Sequence, residues 1–170
     1  AFAGVEAVDP RYPAAALLAD LLGAEGAGSL SGQLEDSPLG FGPVSADLRI
    51  TRGAPVLVLA TSVNRDGDPH LAVAALRAGA QHAAAALEPS RLTALKRERS
   101  TDDLKLTERI HYYGIQRADL LANAGAVVVA ALPAAIVATP ADGVRDFATR
   151  LFAGPYLAAV SGPGLARASS

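Results

Sequence analysis

The chain contains no cysteine, which excludes disulfides and thiolate metal sites and leaves an oxidising compartment neither required nor forbidden. It also lacks an excess of either charge. Fifteen Lys and Arg stand against 17 Asp and Glu, and a net charge of −2 gives no basic field for nucleic acid or an anionic membrane. Aromatic residues make up only 5%, and alanine supplies much of the apolar count, so a core must rest on Leu, Val, Ile and a few rings. Methionine is absent as well, and nothing in the residues accounts for it. No signal peptide is visible at Ala1, so the sequence is expected to begin inside a longer or processed chain. What is present is 170 residues, 51% hydrophobic and 19% charged, enough to bury a real core. One α+β domain is expected over residues 1–164, with a loose tail at 165–170.

Periodicity organises the chain. Phe2–Val8 reads as a short strand that Asp9 and Pro10 break off. From Pro13, Leu17, Leu18, Leu21 and Leu22 recur at helical spacing, and Gly23 sits where a left-handed C′ glycine would end a helix. Gly23–Gly42, rich in Gly and Ser, reads as a long loop or hook. In Val44–Ile50, Val44, Ala46, Leu48 and Ile50 alternate with Ser45, Asp47 and Arg49, as in a half-buried strand. A turn at Thr51–Pro55, with Gly53, leads to the apolar run Val56–Val63. Both faces of that run are apolar, which predicts a central and most buried strand.

Asn64–Asp68 reads as a turn, with Asp68 as N-cap and Pro69 as first residue of a helix reaching about Leu87. A second helix is expected from Pro89, carrying Leu92, Leu95, Leu106, Ile110 and Tyr113. Its charges pair at helical spacing, Arg99 with Asp103, Asp102 with Lys105 and Lys105 with Glu108, as on a solvated face where truncating Arg99 costs little. Ala122–Ala138 is uncharged, dominated by alanine and interrupted by Pro133, so a buried helix pair or a strand is expected rather than a membrane span. Thr139, Pro140 and Asp142 read as cap, first residue and favourable acid of a last helix, whose apolar face is Val144, Phe147, Ala148 and Leu151. Tyr156–Ser161 reads as a closing strand. Hairpin-linked strands with helices gathered on one face make an α+β fold with a mainly antiparallel sheet.

Several patterns approach a site and fail. His70, His82 and His111 belong to neither HxxEH nor HExxH, the spacings that turn two imidazoles toward one zinc. Glu108 and His111 form one ExxH pair where a carboxylate-bridged di-iron site needs two. Asn64–Asp68 resembles the start of a calcium loop, but Pro69 replaces the turn glycine and Ala75 the bidentate Glu. Gly23, Gly26 and Gly28 follow a helix instead of opening one, unlike a phosphate cradle. Gly28–Gly32 has the spacing of a nucleophile elbow with Leu30 at its centre, and Leu30 cannot attack. No catalytic and no metal-ligating residue is assigned.

Taken in order, these segments resemble the pitrilysin/insulinase family of zinc metallopeptidases. VDPRYPAAALLADLLG (Val8–Gly23) with GSLSGQL (Gly28–Leu34) is similar to that family's leucine-rich helix and hook. EPSRLTALKRERSTDDL (Glu88–Leu104) resembles its long helix. VATPADGVRDFATRLF (Val137–Phe152) with AAVSGPG (Ala158–Gly164) resembles its closing helix and strand. In that family two homologous α+β domains face each other around a substrate chamber, one bearing HxxEH and zinc, the other usually lacking them and contacting substrate. Without HxxEH, this chain resembles the second. The resemblance implies no cofactor in this chain, zinc only in a catalytic partner domain or subunit, a peptide substrate, and no nucleic acid. It implies a substrate contact at Gln33, where the family's hook commonly carries Arg; Gln offers a neutral amide in place of a charged fork. The family's strand-leading Tyr is replaced around Phe41–Pro43. Two other readings stay open: a structural subunit like the core proteins of respiratory complexes, and an unrelated small α+β binding domain.

Overall fold

A computed structural model of the chain describes residues 1–26, 29–50, 55–64 and 67–161. Nine elements follow in order among them: β1 (Phe2–Ala3), α1 (Tyr12–Gly23), α2 (Leu30–Glu35), β2 (Ser45–Ile50), β3 (Pro55–Ala60), α3 (Pro69–Ala85), α4 (Pro89–Thr107), α5 (Ile110–Ala138) and α6 (Ala141–Ala153). The fold is α+β, with a three-stranded antiparallel sheet in the order β1-β3-β2. The α+β class and antiparallel pairing are as expected, but six helices outweigh the sheet, which is smaller than the four strands expected. The tail at 165–170, most of the Thr51–Pro55 turn and the centre of the Asn64–Asp68 turn lie outside the described residues.

Cross-strand partners share a face, so Phe2, Leu57 and Leu48 stand together on the inner side. Phe2 and Leu57 are buried there, the Phe2 ring lying edge-on to Phe152 of α6 at 4.9 Å between centroids. The outer side carries Val56 and Val58, half-buried, opposite Arg49 and Asp47, which pair at 2.9 Å in solvent. The run expected at Val56–Val63 is the central strand but ends at Ala60, and on its inner face Leu57 is buried while Leu59 is half-buried. Its outward valines meet no covering layer among the described residues.

The centre of the core is α1. Leu17, Leu18 and Leu22 are 0% exposed, packed with Val144, Ala148 and Phe152 of α6 and Leu92 and Leu95 of α4. Val144, Phe147, Ala148 and Leu151 are all buried, as their spacing predicts.

Other expectations are corrected by contact. The first strand stops at Ala3 instead of Val8. Gly4 lies so close to the Pro55 carbonyl that an added Cβ would be 2.4 Å from its oxygen, and the chain then turns. Gly23 is the last residue of α1 and has no left-handed φ. It is small because a Cβ would meet the backbone N and O of Ala46 at 3.3 Å, where α1 rests on β2. The hook is partly helix: Ser29 accepts from Gly32 N–H at 3.0 Å and caps α2, whose Leu30 and Leu34 enter the core beside Gly79 of α3.

The single helix expected through Tyr113 is two, α4 ending at Thr107 and α5 beginning at Ile110. Ala122–Ala138 is neither strand nor buried pair. It is the end of α5, which breaks at Gly125 (φ 78°) and continues through Pro133. Val129, Leu132 and Ile136 turn inward, whereas Val127 and Val137 are 85% and 60% exposed. Tyr113–Ala138 is long and apolar enough to cross a membrane by length and composition alone. Thr139 does not cap α6; its hydroxyl donates back to the Ala135 carbonyl at 2.8 Å, and Pro140 holds the cap position. The closing strand is reduced to one bridge, Tyr156 to Phe2.

Candidate functional site

One concavity lies beside β3, which pairs with β1 at Val56 and Leu57. Past that point an open groove of about 500 Å³ lies between Val58–Val63 on one side and Tyr156–Ser161 on the other, with Ala72, Val73 and Leu76 of α3 as its floor.

Each wall is held by identifiable chemistry. Asp68 starts α3 as the sequence predicts, its Oδ1 accepting from His70 N–H at 2.7 Å and Leu71 N–H at 3.4 Å, with Pro69 in the first turn. Thr61 hydroxyl donates to the Gly42 carbonyl at 3.0 Å, and Gly42 N–H donates to the Ser62 carbonyl at 2.9 Å, which ties the end of the β3 segment to the approach of β2. The far wall is anchored at its start. Ala1 and Leu157 exchange two backbone hydrogen bonds, at 2.7 and 2.9 Å, and the Phe2 ring lies 5.8 Å from the Tyr156 ring. Arg77 of α3 stacks its guanidinium 4.8 Å from the Tyr156 centroid and donates to the Phe152 carbonyl. The groove is thus mainly apolar and open, with Arg77 as its one charged side chain among the described residues.

A second hollow of about 540 Å³ lies between α1 and α4, lined by Asp20, Glu25, Glu98, Arg99, Asp102 and Asp103 among others. Here the expected charge pairing is corrected. Arg99 bonds Asp20 of α1 in place of Asp103, and Asp103 pairs with Arg117 of α5. Only Lys105 with Asp102 pairs as expected, at 3.2 Å and exposed. Burial raises the Asp20 carboxyl above its ordinary value, with Arg99 pulling the other way. Burial likewise raises the Tyr12 hydroxyl. The solvated face of α4 is therefore solvated only in part, and its half-buried charges join three helices. The signal for this was Asp20, a lone charge in the apolar sequence of α1.

The residues singled out from sequence do not converge. Gln33 is exposed on α2 and does not line the groove. His70 and His82 are exposed near opposite ends of α3, and His111 is exposed at the start of α5. Glu108 caps α4, so its pairing with His111 straddles a helix break. Leu30, the centre of the elbow-like pattern, is 0% exposed. Sequence reasoning missed the groove itself, because its walls, Val58–Val63 and Tyr156–Ser161, lie far apart in the chain. Compared with family models, with curated proteins and with solved structures, the chain matches none.

Proposed function

We propose that this chain is a non-catalytic, peptide-binding α+β domain that works beside a separate catalytic domain, as the second half of a pitrilysin/insulinase-type zinc metallopeptidase. The observation that carries the binding part is the open, mainly apolar groove beside β3. The family part is supported by the ordered resemblance of Val8–Leu34, Glu88–Leu104 and Val137–Gly164 to that family's segments. In this reading the antiparallel sheet with α1 and α6 on its inner face is a reduced form of the family's sheet-and-helix layer. The partner is a homologous HxxEH-bearing domain or subunit, which holds the zinc and the general base. This chain supplies no ligand, binds no nucleic acid and does not span a membrane. Gln33 remains a weak substrate or partner contact, a neutral hydrogen bond on the α2 surface.

A structural role is the second reading, and the exposed, uncharged end of α5 at Ala122–Ala138 favours it, since a subunit buried in an assembly covers such surface. Equilibrium peptide binding, metal content and peptide turnover, all measured on the purified chain, separate these. The expected result is peptide binding with no stoichiometric zinc and no turnover. Absence of peptide binding favours the structural subunit. Tightly held zinc with chelator-sensitive proteolysis overturns both.

A further inference from the structure

Four charged side chains alternate in sign across three helices. Asp20 of α1 pairs with Arg99 of α4, and Asp103 of α4 pairs with Arg117 of α5. Arg99 and Asp103 stand four residues apart on α4, a spacing that brings their side chains within reach of each other. Burial raises the Asp20 carboxyl and repulsion from Asp103 adds to it, so the two acids share one cluster. Arg99 meets Asp20 through a single nitrogen, and its buried Nε has no partner among the described residues. The guanidinium is therefore not fully engaged where it stands.

The first half of α5 is a rigid piece between two joints. Residues 110–124 are helical, with Arg109 at φ −110° and ψ 67° on one side and Gly125 at φ 78° and ψ 162° on the other. Among the described residues nothing packs within 4 Å of where a Gly125 Cβ would stand, so no neighbour clamps that bend. Residues 126–138 are anchored by Val129, Leu132 and Ile136, and by Lys96 Nζ, which donates to the Val137 and Thr139 carbonyls at 2.8 and 2.6 Å. In the earlier half Leu120 is buried, while Ile115, Gln116, Ala118 and Asp119 are exposed. A segment with so little buried surface opens more readily than the core beneath it. We infer that residues 110–124 are a strap hinged at Arg109 and Gly125, held shut by Arg117 on Asp103 and released when Arg99 exchanges Asp20 for Asp103. Asp20 on α1 thereby sets how firmly α5 is held. Opening draws Arg117 away from Tyr12, which is 6% exposed and lies within the field of both arginines.

The strap is independent of the peptide-binding reading and is tested without a ligand. The chain has no cysteine, so two introduced ones carry every label. Gln81→Cys on α3 and Ala118→Cys on the strap, both at exposed positions, take nitroxides whose separation is read by pulsed dipolar electron spin resonance. The labelled parent is expected to show one main distance. Asp103→Asn removes the latch and is expected to raise a second, displaced population about tenfold. Asp20→Asn leaves both latch partners in place yet frees Arg99 to compete for Asp103, and is expected to raise the same population. Adding Arg99→Gln to Asp20→Asn removes the competitor and is expected to restore the parent distance. Raising NaCl from about 0.1 to about 1 M cuts the screening length from about 10 to about 3 Å and should enlarge the displaced population in the parent, with no further substitution. A distance unmoved by both Asp103→Asn and high salt overturns the strap. An Asp20→Asn distance identical to the parent, or an opening that persists when Arg99→Gln is added, overturns the exchange.

Discussion

Arg99 on α4 donates from one guanidinium nitrogen to both carboxylate oxygens of Asp20 on α1, at 2.9 and 2.7 Å, across 79 residues of sequence. The two side chains are 21% and 32% exposed, too buried to be ornaments of the surface and too wet to be a core pair. Together with Asp103 and Arg117 they join three helices around the acidic hollow.

Removing one member leaves the other half-buried and unpaired. Arg99→Ala is expected to destabilise the fold by about 1–3 kcal/mol, below the range for a fully buried pair. Lys105→Ala breaks an exposed pair and should cost about 0–1 kcal/mol. Urea denaturation of the two variants measures this, and equal small losses would return Arg99 to the solvated face that periodicity suggests.

The same pair sets a pH dependence. Burial raises the Asp20 carboxyl above its ordinary 3.8, so the folded state holds this proton more tightly than the unfolded chain. The stability contributed by that proton is fully present below the unfolded pKa and is lost as pH rises through the folded one. Arg99 opposes the shift, so Arg99→Ala should raise the Asp20 titration point further. An NMR titration of the Asp20 carboxyl carbon reads both values. A midpoint below 3.8 in the parent chain would contradict the burial argument.

Leu22→Ala should cost about 2–5 kcal/mol, since the side chain is 0% exposed against α4 and α6. Leu151→Ala, at 9% exposure, falls toward the lower end of that range. Leu71→Ala, at 58% exposure on α3, should fall within about ±0.5 kcal/mol. Thermal melts of the three variants that failed to separate in this order would displace α1 from the centre of the core.

Amide exchange along β3 should alternate. Val56, Val58 and Ala60 face β2, and Leu57 faces Phe2, so these four are expected to exchange slowly. Leu59 has no backbone partner on the β1 side among the described residues and should exchange faster than both of its neighbours. Uniform protection of Leu59 in the free chain would show that its edge is already paired.

What the sequence by itself determined lies close along the chain. The heptad-like leucines of α1, the Asp68–Pro69 start of α3, the alternation of Val44–Ile50 and the apolar face of α6 each depend on neighbours within a turn or a strand, and local spacing reports them. Ser29 and Leu30 show the limit, since a Gly- and Ser-rich stretch reads as a loop while a cap and two leucines docking beside Gly79 make it helix. Tertiary structure decided the rest, because the deciding partners are remote. Gly23 is small for the sake of Ala46, not for a left-handed turn. Arg99 chooses Asp20 over Asp103, its neighbour four residues along, because α1 and α4 cross where the two can meet. In the apolar run Val56–Val63 only Leu57 is buried, since among the described residues no element fully covers its neighbours. The groove depends on the distance that packing sets between Val58–Val63 and the segment from Tyr156, which bridges to Phe2. No periodicity encodes that distance, because it is set by how remote segments meet across a packed core.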